Sequence, residues 1–239
     1  IIDRWYKKGI QEIESSEGWR IINKIDNLQL SYTVFRRNYE ELNKLLSKYE
    51  SDQDLALQLM VRDNRESFNA FLGEITRLLH NFLVSVKSLV DHTRIFYQEE
   101  YEGTEFENDY NEKIEEHFSN VPVSKFVQEL RNYTLHKALP LTGATINIDK
   151  EKGMSQSITL NIDSLRDWKK WSKLSREYMD SNDKNLVLRK TVNDYAQKVE
   201  EFYKWFGNCL QEIHKEALEE LEELQNKQRE RYEEAGFKL

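Results

Sequence analysis

Three side chains in one short stretch are of types that can do acid–base chemistry on a phosphate. They are Arg131, Asn132 and His136, within Phe126-Val127-Gln128-Glu129-Leu130-Arg131-Asn132-Tyr133-Thr134-Leu135-His136-Lys137-Ala138-Leu139-Pro140. An imidazole exchanges a proton near neutral pH. A guanidinium can hold a non-bridging phosphate oxygen and offset charge as it develops. An amide one helical turn from the imidazole can orient the ring or the phosphate. The bland alternative is that Arg131 and His136 are ordinary residues of a helix surface, since a match this short is common by chance.

The apolar spacing of the stretch predicts an amphipathic helix opening at Asn120-Val121-Pro122, because proline is tolerated in a first turn where its missing N–H costs nothing. Pro140 closes it. With Leu130 at the centre of the buried stripe and about 100° per residue, Val123, Phe126, Val127, Thr134 and Lys137 share its face. Asn132 and His136, four apart, lie one above the other on the opposite side. Arg131 and His136 are five apart, about 140° on an ideal helix. Their convergence therefore needs the reach of Arg131, a local distortion, or a second copy across a dimer interface. Leu135, lying between them, predicts that this side is also covered.

The rest of the chain reads as helices able to bury that one. Only 2 of 239 residues are proline and 8 are glycine, while 33% are charged. A helical pattern runs from Gly18 to Tyr49, a short one follows the capping pair Ser51-Asp52, and a wide apolar stripe spans about Asn64 to Tyr101. After Pro140 the period changes. Thr145–Asp149 and Ser157–Ile162 alternate apolar and polar residues around Gly153, which predicts a β-hairpin over about 144–162. A hairpin is marginal alone in water, so it must lie against helices or another chain. Ser164-x-x-Asp167 reads as a capping box opening a helix with Trp168 and Trp171. The last helix is expected from about 185 to 234, its acidic end solvated or packed on a second subunit.

The dipeptide Arg131-Asn132 followed after three residues by His136, on a late helix of such a chain, resembles the Arg-x4–6-His signature of HEPN domains. The likeness covers about 64–140, including Leu78-Leu79-His80-Asn81 and Leu89-Val90-Asp91-His92-Thr93-Arg94. The periodicity and scarcity of breakers predict a mainly α fold, and the absence of a repeat or linker predicts one domain over 1–239. The resemblance implies a HEPN-like helical bundle, with the hairpin and the last helix as elaborations. It also implies a homodimer with the motifs facing each other. Active members of that family are metal-independent endoribonucleases, and degenerate ones are binding or assembly modules for RNA or a regulatory protein partner. Arg131, Asn132 and His136 take the catalytic positions. Some members carry Tyr two residues after the His, where this chain has Ala138.

Asp91, His92 and Arg94 form a supporting polar cluster, read as a network bracing the motif helix, with Asp91 and Arg94 spaced to pair. No cofactor is expected. Cys209 is the only cysteine, which excludes an intrachain disulfide or a cysteine zinc site. His80, His117 and His214 lack partners at ligand spacing. The five tryptophans read as packing residues, with base stacking second. Glycine-rich phosphate loops, serine elbows and paired glycosidase carboxylates are missing from the pattern. A net charge of −8 disfavours a broad nucleic-acid-coating surface without excluding a local cationic pocket. No stretch approaches 18 apolar residues, so no membrane span is expected, and a cytoplasmic setting fits.

Overall fold

The computed structural model describes residues 2–151, 153–182 and 184–236, with side chains from residue 7 onward. The fold is mainly α with a small antiparallel sheet. The chain separates into two compact units, one of residues 31–202 and the other of 1–30 with 203–239, the boundaries falling inside two long helices.

The larger unit contains most of α2 (Glu17–Ser51), then α3 (Gln53–Met60), α4 (Arg65–Glu100), α5 (Phe106–Ile114) and α6 (Pro122–His136). Strands β1 (Thr142–Asp149) and β2 (Gly153–Asn161), short helices α7 (Ile162–Arg166) and α8 (Lys173–Asp180), strand β3 (Asn185–Val187) and most of α9 (Leu188–Ile213) follow. Its core forms where α2, α4 and α9 meet. Phe35 packs on Phe82 at 5.7 Å between ring centroids, and Tyr195 meets both rings edge-on at 6.3 Å. All three are buried.

Helix α6 packs on this core through Val123, Phe126, Val127, Leu130 and Tyr133. The expected stripe thus holds, except that Thr134 is only half-buried and Lys137 is exposed. Its other support is an aromatic floor. Trp171 stacks between Phe126 and Tyr133, two turns apart on α6, at 5.5 and 5.9 Å. The indole N–H of Trp171 donates to the Leu165 carbonyl at 2.7 Å, so the buried ring has its polar atom satisfied. The Glu129 carboxylate accepts the backbone N–H of Ser172 at 2.8 Å, tying α6 to the start of α8. Truncating such a buried aromatic to Ala typically costs about 3–5 kcal/mol.

The sheet runs β1-β2-β3, antiparallel throughout. Gly153 supplies the positive φ of 79° at the hairpin turn, where a Cβ would be strained. Thr76 of α4 meets Thr142 at 3.2 Å between hydroxyl oxygens, and Gln53 of α3 donates to the Met154 carbonyl at 3.3 Å, so the hairpin lies against helices.

Three local expectations are corrected. Asn185–Val187 pairs with β2 instead of opening the last helix, because Leu186 is buried opposite Leu160 and tertiary pairing overrides the helical pattern. That helix also breaks at His214, dividing into α9 and α10 (Lys215–Glu234). The Ser164 capping box gives way to two separate caps: Asn161 accepts from the Ser164 N–H at 2.8 Å to open α7, and Ser172 accepts from Ser175 at 3.3 Å to open α8. Trp168 and Trp171 lie in the link between them.

The smaller unit comprises α1 (Ile2–Glu14), the start of α2, the end of α9 and α10. Ile13, Ile21, Leu28, Phe206, Leu210 and Leu221 are its buried apolar residues. Gly18 lets α2 approach α10 closely, since a Cβ there would sit 2.2 Å from the Ala217 carbonyl oxygen. Beside that crossing lies a cleft of about 550 Å³ lined by residues including Trp19, Asp26, Glu222 and Arg229.

Candidate functional site

Helix α6 presents its polar side along Arg131, Asn132 and His136. Arg131 and Asn132 are half-buried, whereas His136 is exposed in the last turn. Nη1 of Arg131 donates to Oδ1 of Asn132 at 3.2 Å, which fixes the two heads together. Nε of Arg131 is buried and has no hydrogen-bond partner among the described residues. A buried donor left unpaired costs about 1–3 kcal/mol.

His136 makes no hydrogen bond or ion pair among the described residues, so the chain by itself joins Arg131 to Asn132 and not to His136. This agrees with their angular separation on the helix. Leu135 is 47% exposed, Leu139 54% and Leu141 63%. The side expected to be covered is therefore open within this chain, because α4 and α8 occupy the opposite face of α6. Lys137 donates its backbone N–H to the Tyr133 carbonyl at 2.8 Å as the helix ends.

Asp91 forms ion pairs with Lys87 and, at 3.4 Å, with Arg94. His92 meets the Ser31 hydroxyl of α2 at 2.7 Å through Nδ1. The cluster's polar contacts tie α4 to α2 and run along α4. Ser31 and His92 have the distance of a nucleophile and its base. Asp91 is engaged by two cations, and no carboxylate orients the second ring nitrogen of His92 among the described residues. The pair is a clasp between helices. His80, between Thr76 and the middle of α4, has a buried Nδ1 without a hydrogen-bond partner among the described residues.

A second imidazole environment escaped sequence reasoning. Glu115–Ser119 form a π-helical turn, with the Asn120 N–H donating to the Glu115 carbonyl at 3.2 Å; such turns often mark functional positions. His117 within it is buried, its backbone carbonyl accepting from the Ser124 hydroxyl at 2.7 Å. Nδ1 lies 3.6 Å from Oε2 of Glu201 and Nε2 lies 3.7 Å from Oε1 of Glu116. These are ion-pair separations, too long for hydrogen bonds. Burial pushes the His117 pKa below its ordinary value, with the two carboxylates pulling the other way. Glu116 is held by Lys113, and Glu201 by Lys198 at 3.0 Å. The adjacent Glu116 was readable in sequence; Glu201, on α9, was not.

Among the described residues no group of three His, Cys, Asp or Glu side chains could hold a metal ion. No described helix is long and apolar enough to cross a membrane. Comparison with family models, with curated proteins and with solved structures finds no match to this chain.

Proposed function

We propose that this chain is a metal-independent endoribonuclease of HEPN type, working as a homodimer in the cytoplasm on RNA. The observation that carries the reading is the Arg131 guanidinium, anchored to Asn132 through Nη1 with Nε buried and unpartnered, on the helix that ends in an accessible imidazole. The guanidinium of this half-buried arginine is of the type that binds a non-bridging phosphate oxygen. The ribose 2′-hydroxyl attacks phosphorus while the bond to the 5′ oxygen breaks. One imidazole takes the 2′ proton and another group returns a proton to the leaving oxygen. His136 fills one of these roles and its copy in a dimer the other, which removes the need for Arg131 and His136 to meet within one chain. The products are a 2′,3′-cyclic phosphate and a 5′-hydroxyl. A role in stress or antiphage defence follows from the family resemblance alone.

One observation favours a second reading. His136 stands exposed without an orienting partner among the described residues, beside the open side chains of Leu135 and Leu139. A non-catalytic module that binds RNA or a regulatory protein through this face would look the same. Purified protein incubated with total RNA in EDTA separates the two. Cleavage that leaves cyclic phosphate ends, and is lost in Arg131→Ala and in His136→Ala, supports the nuclease. Intact RNA retained on the protein supports the module.

A further inference from the structure

Strand β2 is paired with β1 along its length and with β3 only over Thr159–Asn161, which leaves β1 at the edge of the sheet. The phase of the ladder is set by the Asn161 N–H, which donates to the Leu141 carbonyl at 3.2 Å. Hydrogen-bonded partners alternate along an antiparallel pair, so Gly143, Thr145 and Asn147 turn their backbone groups toward β2. Thr142, Ala144, Ile146 and Ile148 turn theirs to the free side. Edges are commonly blunted by lysine, proline or a bulge. β1 contains no lysine or proline, and its register runs without interruption from Thr142 opposite Leu160 to Asp149 opposite Gly153.

The same four residues share a sheet face with Leu160, Ile158, Gln156 and Met154. Leu160, Ile158 and Gln156 are buried, so this is the covered face of the sheet. Ile148 nonetheless remains 83% exposed on it, the highest value among the exposed large hydrophobic residues described. Both amide atoms of Gln156, opposite Ile146, are buried without a hydrogen-bond partner among the described residues.

The geometry points to a second copy of this chain as the occupant of that edge, with β1 paired antiparallel to its counterpart about Thr145. This register sets Thr142 opposite the partner's Ile148 and Ala144 opposite the partner's Ile146. Every outward N–H then meets an outward C=O. Each isoleucine faces a small residue, so the two rows fit by size. Asp149, the only charge in β1, falls opposite the partner's Leu141 and far from its own copy, so no like charges meet. A strand pair alone buries less than the roughly 1,000 Å² of a durable interface, so the dimer depends on concentration. The interface is argued from the strand alone and does not rest on the nuclease reading.

Sedimentation of the full chain over a range of concentrations, beside Ala144→Pro and Ile148→Lys, tests this. Proline at 144 removes an N–H that points away from β2, so the hairpin ladder survives. On concentration the wild type should reach twice the mass of the species each variant forms, and each variant should raise Kd about tenfold or more with unchanged circular dichroism. Amide exchange should slow at Thr142, Ala144, Ile146 and Ile148 as the wild type is concentrated. A wild type that stays monomeric overturns the proposal, whether or not a foreign strand binds the edge. Wild-type association that Ile148→Lys leaves undiminished, with those amides still fast, also overturns it, even if Ala144→Pro fails to fold; that association would be formed by another surface, such as the motif face.

Discussion

Two histidines on successive segments of the larger unit occupy opposite environments. His136 closes α6 in the open, without a hydrogen bond or ion pair among the described residues. His117 is buried in a π-helical turn between two carboxylates that belong to different helical segments. The first is free to meet a substrate and contributes little to folding. The second is locked into the interior, where its protonation bears on stability. A sequence motif finds the exposed one because helical spacing is local. Only the fold finds the buried one, because its environment is built from elements far apart in the chain.

The sharpest way to break this contrast is to remove what holds α6. Phe126→Ala withdraws one side of the stack on Trp171 and should cost about 3–5 kcal/mol. The melting temperature should fall by about 2–4 °C per kcal/mol lost, with loss of any activity of the motif. If stability is unchanged, the aromatic floor does not position the helix.

His117→Gln should act through pH. A histidine whose folded pKa is depressed leaves the unfolded chain binding more protons as pH falls below the ordinary imidazole value. Its contribution is therefore present in full above about pH 6.5 and is lost as pH falls through the folded pKa. Denaturant titrations from pH 7.5 to 4.5 should show a shallower acid loss in the variant, by at most the slope of one proton. An unchanged profile would mean that His117 does not titrate differently on folding.

Smaller effects separate the clasp from the motif. Ser31→Ala deletes the contact to His92 and should cost about 0.5–1.5 kcal/mol by chemical denaturation, while leaving RNA cleavage intact. His136→Gln should change stability by no more than about 0.5 kcal/mol, since it alters an exposed side chain without a structural partner. A large destabilisation there would turn the supposed reactive imidazole into a folding residue.

What the sequence disclosed follows the range of the interactions involved. Helix α6, from Pro122 to His136, was readable because the proline, the apolar period and Pro140 are all local. So was the hairpin, whose alternation changes the period within a few residues. β3 was not, because Asn185–Val187 becomes a strand only by pairing with β2. The cap at Asn161 lay hidden behind the stronger-looking Ser164 pattern. Asp91 and Arg94 pair as their spacing allows, whereas the link from His92 to Ser31 crosses to another helix and could not be read locally. At the motif the sequence supplied the angular separation of Arg131 and His136, but not the unpaired Nε.

The central claim, that Arg131 and His136 serve one phosphodiester, is tested most directly by a cycle of metal-free cleavage rates. Wild type, Arg131→Ala, His136→Ala and the double variant would be compared in EDTA on a single RNA substrate. Residues that act as a unit are strongly non-additive. The account predicts that each single variant loses about 10²–10⁴-fold and that the double variant is hardly slower than either. Losses that simply multiply, or single variants that cleave as fast as wild type, would contradict it.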